Sequence, residues 1–355
     1  MDINRRRFVS GLGAVGLAGV AGCTGNDGGG GGGGDDVDAN VGMVYATGGL
    51  GDGSFNDQAQ TGIQNAADEF NIDYDEVQPG EVSEFSSQQQ QFAQSTSPDY
   101  DLVSCIGFLQ GDALSENAEQ YPDQSFQIVD TVVDADNVAS YIFAEHEGSF
   151  LTGLMAGQLT GMEFEAGAGA TTSDSTNVGF VGGIESDLIQ KFEAGYVSGV
   201  KHASEDVDVQ TSYVGDFNDP SGGKEAAISM YDSGADIVYH AAGNTGTGVF
   251  EAAQEQGRFA IGVDRDQSVT AESYADVILA SMVKRVDTAV YNAVEETVND
   301  EFEGGRTVPL GLEEDGVEAV YGQDLGGEIP QEVKDAVASV REEIITGDID
   351  VPDSP

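Results

Sequence analysis

Short apolar runs alternate with longer amphipathic stretches over most of the chain. The short runs have the length of buried strands, and the longer stretches have the spacing of helices with one apolar face. In the first half this pattern predicts strands at 41–45, 72–77, 102–106, 126–129 and 138–143, and helices at 55–70, 85–95 and 113–120. The order is typical of a parallel sheet covered by helices on both faces.

The same rhythm restarts near residue 149. It predicts helices at 149–160, 188–202, 224–232 and 249–256, and strands at 178–181, 207–214, 237–240 and 259–263, with a loop at 166–175. The end of the chain predicts a helix at 284–298, one or two short strands within 308–320 and a closing helix at 330–345.

Two doubly wound halves, joined by more than one crossover, predict a hinged cleft. We expect lobe 1 to comprise 38–145 and about 280–325, lobe 2 to comprise 146–279, and 326–355 to form a C-terminal helix and tail. Ligands of open α/β sheets bind beyond the carboxyl ends of the strands. Those ends would line the cleft.

The amino-terminal residues are typical of an export signal. A twin-arginine start at 5–8 precedes an apolar run, 9–21, that is too short to span a bilayer. The run ends in Val-Ala-Gly-Cys, which resembles a lipobox and predicts lipidation of Cys23, although a signal peptide with a chance cysteine is the alternative. We therefore expect a twin-arginine lipoprotein signal peptide at 1–22 and a glycine-rich tether at 23–37.

The charge balance excludes one class of partner. The chain has 13 basic and 64 acidic residues, a formal net charge of −51, which would repel the phosphates of a nucleic acid. So much charge often indicates disorder, but the apolar periodicity favours a folded protein adapted to high salt, where screening acts within about 3 Å. We infer a halophilic, archaeal source.

Few residues suit redox or metal chemistry. Cys105 lies in an apolar run and is expected to be a buried core residue, so no disulfide is predicted. The three histidines are isolated in sequence, and we predict neither a metal nor a cofactor.

A glycine-rich turn, 48–57, follows the first predicted strand and opens the first predicted helix. Its glycines allow a tight turn, and Ser54 can cap the helix. Phe55 and Asn56 would then lie at the mouth of the cleft. A dinucleotide-binding loop is the rival interpretation, but the G-x-G-x-x-G fingerprint fails and the acidic surroundings would repel a pyrophosphate.

Three more polar clusters follow predicted strands. The segment 241–248 is either a tight turn or a helix N-terminus that can hold ligand oxygens. Asp264 stands at the carboxyl end of the next strand. Lys284 and Arg285 stand at the return crossover, where they would bind a ligand or simply pair with Asp287 and the acidic surface.

These clusters resemble the basic membrane protein (BMP) family of lipoproteins, the purine-nucleoside receptors of ABC importers. The resemblance covers about 41–320 and rests on four motifs in family order: Gly-Ser-Phe-Asn-Asp, His-Ala-Ala-Gly-Asn-Thr-Gly, Gly-Val-Asp-Arg-Asp-Gln and Ser-Met-Val-Lys-Arg-Val-Asp. It implies a type I periplasmic-binding-protein fold without catalysis. It also implies a nucleoside ligand, permease subunits as partners, and a lipid anchor on the extracellular face of the cell membrane.

The resemblance further implies roles for single residues. Phe55 and Phe217 would stack on the two faces of a base, and Asn56 would hydrogen-bond its edge. Asp264 and Lys284 would hold the ribose hydroxyls, and Gly243 would bring the backbone close to the sugar. The family often has an aspartate where this chain has Ala46, so which base is bound stays open.

Three alternatives remain. A receptor of the same fold could bind another polar solute, such as a sugar, and a sensing subunit could bind the same ligand without transporting it. An extracellular enzyme would need a nucleophile with its base, or a metal, and the sequence shows no Ser-His-Asp order or histidine cluster that supplies one.

Overall fold

The structure, a computed structural model, describes residues 37–172 and 175–355. The predicted signal peptide, the lipidation site at Cys23 and all but the last residue of the predicted tether lie outside the described residues. None of the helices in the described part combines the length and the apolar character that crossing a membrane requires.

The described residues form alternating strands and helices. The strands are β1 Ala39–Val44, β2 Ile72–Val77, β3 Leu102–Ile106, β4 Ser125–Val129, β5 Val138–Phe143, β6 Glu165–Ala166, β7 Gly169–Ala170, β8 Asn177–Gly182, β9 Asp208–Tyr213, β10 Ile237–Ala241, β11 Phe259–Asp264, β12 Ile278–Lys284, β13 Arg306–Leu310 and β14 Val317–Tyr321. The α-helices are α1 Phe55–Glu69, α2 Phe85–Ala93, α3 Gly111–Gln120, α4 Glu145–Leu159, α5 Asp187–Ala203, α6 Pro220–Asp232, α7 Gly246–Gln256, α8 Gln267–Thr270, α9 Val286–Val298 and α10 Gln331–Ile345.

Two six-stranded sheets organise these elements into two lobes. The orders are β13-β5-β4-β3-β1-β2 and β14-β12-β11-β10-β8-β9, so each lobe repeats the doubly wound order 2-1-3-4-5 and adds one returning strand. The pairings are parallel except between β12 and β14, which are antiparallel. The predicted pair of doubly wound lobes is confirmed. The order in which successive strands are added to the sheet reverses between β1 and β3 in one lobe and between β8 and β10 in the other. Ligands of such sheets bind at these points.

The chain passes between the lobes three times, and here the structure differs from the predicted boundary. Residues 280–325 were expected in the first lobe, but β12 and β14 belong to the second sheet, and only α9 and β13 return to the first. The wholly buried apolar run Ile278–Lys284 explains the difference, because it needs a place inside a sheet. Lys284 is therefore the last residue of a strand, and the helix predicted to begin there begins at Val286.

The predicted loop 166–175 contains most of a small hairpin, formed by β6 and β7. Strands of two residues are too short to show an alternating pattern, so the sequence could not reveal them. Buried Asp236 fixes this region, since it accepts hydrogen bonds from Thr172 and pairs with Arg258 at 2.8 Å.

Helices α4 and α5 pack through glycines. A Cβ on Gly153 would lie 2.2 Å from the carbonyl oxygen of Tyr196, and one on Gly199 would lie 2.0 Å from that of Phe150. Since no side chain fits at such distances, the glycines permit the close approach of the two backbones. This packing fixes α4, whose first residue, Glu145, belongs to the site described next.

Candidate ligand-binding site

One cavity lies at the carboxyl ends of the strands of both lobes. All six residues that the sequence predicted as ligand contacts line it: Phe55, Asn56, Phe217, Gly243, Asp264 and Lys284. The other lining residues lie at the ends of β1, β3, β4, β10 and β11 or just after them, on α5, and near the start of α1 and α2: Ala46, Thr47, Gly48, Asp52, Phe85, Ile106, Gly107, Phe108, Leu109, Asp130, Leu188, Ile189, Phe192, Ala241, Ala242 and Val263. The structure thus brings the predicted residues together where the topology places a ligand.

The turn before α1 is organised by Asp52. Its Oδ1 accepts hydrogen bonds from the backbone N–H groups of Ser54 at 2.9 Å and Asp57 at 3.2 Å, and its Oδ2 accepts from the backbone of Asn56 at 2.9 Å. Burial raises the pKa of Asp52, and these backbone donors oppose that rise. The prediction that Ser54 caps the helix through its side chain is wrong, because Asp52 supplies this function.

Asn56 has partners on both ends of its side-chain amide. Its Oδ1 accepts from the backbone N–H of Ala46 at 2.9 Å, and its Nδ2 donates to Oδ2 of Asp52 at 3.0 Å. The amide is therefore held in place before any ligand binds.

Asp264 ends β11 in a left-handed conformation, with φ of 65°. Non-glycine residues in this region are strained and often serve a functional site. The Oγ of Ser54, from the other lobe, donates to Oδ2 of Asp264. Burial raises the pKa of Asp264 to about 7, opposed by the charge of Lys284 and the bond from Ser54 and reinforced by Asp52 and Asp130.

Lys284 is buried, with 1% of its side chain exposed, and its charge is already paired. Its Nζ lies 2.6 Å from Oδ1 of Asp130 and 2.9 Å from Oε1 of Glu145. Burial acts to lower the pKa of Lys284, but the charges of Asp130, Glu145 and Asp264 raise it above its ordinary value. Nζ also lies 5.2 Å from the ring centre of Phe55, a cation–π distance.

Asp130 and Glu145 were missed at the sequence level. Asp130 follows β4 as Asp264 ends β11, so the rule that polar residues at strand ends reach the cleft could have found it. Burial raises the pKa of Asp130 to about 6, against the charge of Lys284. Glu145 lies two residues after the end of β5 and begins α4, so the same rule could have found it as well.

Phe217 and Gly243 belong to the second lobe and are joined to each other. The carbonyl of Phe217 accepts from the backbone N–H of Thr245 at 3.1 Å, in the turn that Gly243 opens with φ of 56°. The ring of Phe217 lies over Gly183, where a Cβ would come within 2.3 Å of it. Phe55 and Phe217 thus reach the cavity from opposite lobes.

Three of the hydrogen bonds between the lobes involve Gly53 or Ser54, and we call this set the latch. Gln267 and Thr270 donate to the carbonyl of Gly53 at 3.3 and 3.2 Å, and Ser54 donates to Asp264. Oε1 of buried Gln267 also accepts from the backbone of Val263 at 2.8 Å. The same oxygen lies 3.0 Å from Nε2 of His240, and burial lowers the pKa of His240 to about 4, so a neutral ring donates this bond.

The described residues contain no group of His, Cys, Asp and Glu side chains placed to hold a metal ion. What the cavity offers instead is aromatic rings, an amide, and carboxylates beside a lysine. These groups can bind a ring system and hydroxyls by stacking and hydrogen bonding.

Comparisons with known proteins agree with this arrangement. Residues 39–355 match the family model "ABC transporter substrate-binding protein PnrA-like". The ABC transporter nucleoside-binding protein BmpA of Lactococcus lactis is 34% identical over 335 residues, 89% of each chain. An uncharacterized lipoprotein of Pyrococcus abyssi is 34% identical over 289 residues, 78% of this chain and 68% of its own.

A solved structure shares the fold. The solute-binding protein of an ABC transporter system from Aeropyrum pernix is 29% identical, with a TM-score of 0.77, and the match covers 88% of this chain and 94% of that one. The predicted type I periplasmic-binding-protein fold is confirmed.

Proposed function

The chain belongs to the PnrA-like family of ABC transporter substrate-binding proteins, and from that premise we propose that it captures a nucleoside, with a purine favoured, outside the cell for an importer. The permease subunits of that importer would receive the ligand. The observation that carries the proposal is the joint placement, in one cavity, of aromatic rings from both lobes and of a carboxylate cluster around Lys284.

The carboxylate end of the cavity suits a ribose. Ionised Asp264 can accept charge-assisted hydrogen bonds from two neighbouring hydroxyls. Lys284 pairs through its charge with Asp130 and Glu145, and its ammonium carries three donors, so it can also donate to a ligand oxygen.

The aromatic residues suit a base. Stacking of a base on an aromatic side chain contributes about 1–3 kcal/mol. Phe55 and Phe217 reach the cavity from opposite lobes, so closing the lobes would bring a ring to each face of the base. Asn56 lies beside Phe55 and supplies hydrogen bonds for the base edge.

The charges of the cavity disfavour a phosphate. Asp52, Asp130 and Asp264 are the charged lining residues besides Lys284, and the charge of Lys284 is already engaged by Asp130 and Glu145. A nucleotide would therefore bring further negative charge to buried carboxylates, which costs more in a poorly screened interior than in water.

We expect nucleosides to bind at least about tenfold more tightly than ribose, because stacking and the amide bonds are lost with the base. Titration calorimetry at high salt with inosine, guanosine, adenosine, uridine, ribose and inosine monophosphate measures this. Ribose binding as tightly as any nucleoside would refute base recognition and favour the sugar receptor.

We also propose that the protein is exported by the twin-arginine pathway and held on the extracellular face of the membrane by lipid on Cys23. The support is the lipobox-like sequence, the glycine tether behind it and the lipoprotein relative from Pyrococcus abyssi. A lipid chain contributes about 0.8 kcal/mol per buried CH₂, so an acylated cysteine would keep the protein with the membrane.

The Cys23→Ser variant is therefore expected to move from the membrane fraction to the soluble fraction or the medium. The matched control is Cys105→Ala, because Cys105 is a buried core residue far from the lipobox in sequence. Membrane fractionation of Cys23→Ser that equals the wild type would contradict the anchor.

A further inference from the structure

Asp52 lines the cavity, yet it has no acceptor left for a ligand. A carboxylate offers about four lone-pair sites. Four donors occupy them: the backbone N–H groups of Ser54, Asn56 and Asp57, and Nδ2 of Asn56. Since only 6% of Asp52 is exposed, it acts on a ligand through the groups that it holds.

The partners of Asn56 allow only one orientation of its amide. Asp52 can only accept, and the backbone N–H of Ala46 can only donate, so the nitrogen must point to Asp52 and the oxygen to Ala46. The flipped amide would set two acceptors against each other at one end and two donors at the other.

We propose that Asp52 is a positioning residue that fixes the amide of Asn56 and thereby decides which purine nucleoside binds; the inference rests on the proposed function. The fixed amide has one N–H and one acceptor site left, in a set order. Hypoxanthine presents a donor at N1 beside an acceptor at O6, and adenine presents an acceptor at N1 beside a donor at N6. A fixed amide matches one of these edges and opposes the other.

Among the described lining residues of this corner, Thr47 is polar, but its hydroxyl can donate or accept and so does not distinguish the two edges. Ala46 brings no polar side-chain atom, and Gly107, which lies next to it, brings no side chain at all. With φ of 106°, Gly107 also sits in a backbone conformation that other residues rarely adopt. Discrimination between the two edges therefore depends on the order of donor and acceptor at Asn56.

The test is the ratio of the dissociation constants for inosine and adenosine in the wild type and in Asp52→Asn. We expect a ratio of at least about tenfold in the wild type, because the opposed edge leaves buried groups unpaired. In Asp52→Asn either the oxygen or the nitrogen of residue 52 can face the amide of Asn56, so this end no longer distinguishes the two orientations and only the N–H of Ala46 opposes the flipped form. The free-energy gap between the orientations should narrow, and the ratio should fall by about threefold or more.

Asp57→Asn is the matched control. Asp57 lies in the same turn and accepts from the backbone of Gly51 at 2.7 Å and Gly53 at 2.9 Å, but it does not bond the amide of Asn56. Its substitution makes the same chemical change in the same turn. We expect it to weaken both nucleosides by a common factor and to keep the wild-type ratio.

The outcomes separate the inference from the function on which it rests. A wild type that binds no nucleoside overturns both. A wild type that binds inosine and adenosine equally, or an Asp52→Asn variant that keeps the wild-type ratio, overturns the inference and leaves the nucleoside receptor standing. If Asp52→Asn does not fold, Asn56→Leu replaces it, and a wild-type ratio in that variant overturns the role of the amide.

Discussion

Replacement of Lys284 by methionine is expected to lower the free energy of unfolding by about 3–5 kcal/mol, because it leaves two buried carboxylates without their counter-charge. Asp130 is 4% exposed and Glu145 is fully buried, and both contact the ammonium of Lys284. Glu145 keeps a second partner, Lys191, at 3.1 Å, whereas Asp130 forms no other ion pair within the described part of the chain. We expect Asp130 to bear most of the cost.

Urea unfolding at constant high salt measures this effect. The matched control is Arg285→Met, since Arg285 is the next residue but is 38% exposed and pairs with Glu318 at the surface. Exposed pairs contribute about 0–1 kcal/mol, so the control should change stability little. The double variant Lys284→Met, Asp130→Asn should regain part of the loss. If Lys284→Met and Arg285→Met lowered the free energy of unfolding by the same amount, the stabilising role of the buried ion cluster would be contradicted.

Asp264→Ala is expected to weaken nucleoside binding by about 30-fold or more. Truncating one partner of a buried charged hydrogen bond costs roughly 2–5 kcal/mol, and each 1.4 kcal/mol is a factor of ten. In the wild type the 2′-deoxynucleoside should bind more weakly than the ribonucleoside, and the two should become more alike in the variant. Wild-type affinity in a folded Asp264→Ala variant would show that this carboxylate does not hold the ligand.

The pH dependence of binding gives the same residue a second readout. Burial raises the pKa of Asp264 to about 7, so the ionised acceptor form is gained as the pH rises through that value. Nucleoside affinity should therefore increase from about pH 6 to pH 8. The unliganded protein should lose stability as the pH rises from the ordinary carboxyl pKa to about 7. Over that range the folded state still holds a proton on Asp264 that the unfolded state has released. In Asp264→Asn the binding trend should be absent and the stability trend should be weaker, since Asp130 and Asp52 also have raised pKa values.

The sequence was sufficient to place the cavity residues because they follow strand ends. Strand ends can be located from apolar runs, and in a doubly wound sheet the carboxyl ends share one edge. Phe55, Asn56 and Asp264 were predicted at this edge in that way and line the cavity. Their contacts with a nucleoside stay predictions.

Pairing across long separations in the chain could not be predicted. Lys284 contacts Asp130 and Glu145, and Ser54 contacts Asp264, 210 residues away. With 64 acidic residues in the chain, nothing in their spacing indicates which of them is buried beside a given lysine. Which acidic residues meet Lys284 is decided only when the chain, passing three times between the two sheets, brings their strand ends together.

Two bonds of the latch imply that part of the binding affinity is set by the protein alone and is the same for every ligand. Its bonds from Gln267 and Thr270 to Gly53 join residues outside the cavity lining, so they form whenever the lobes close. The observed dissociation constant is the intrinsic one divided by the populated fraction of the competent state. A change in these two bonds would thus scale every dissociation constant alike and leave selectivity untouched, so the tightness of ligand binding can evolve separately from the choice of ligand.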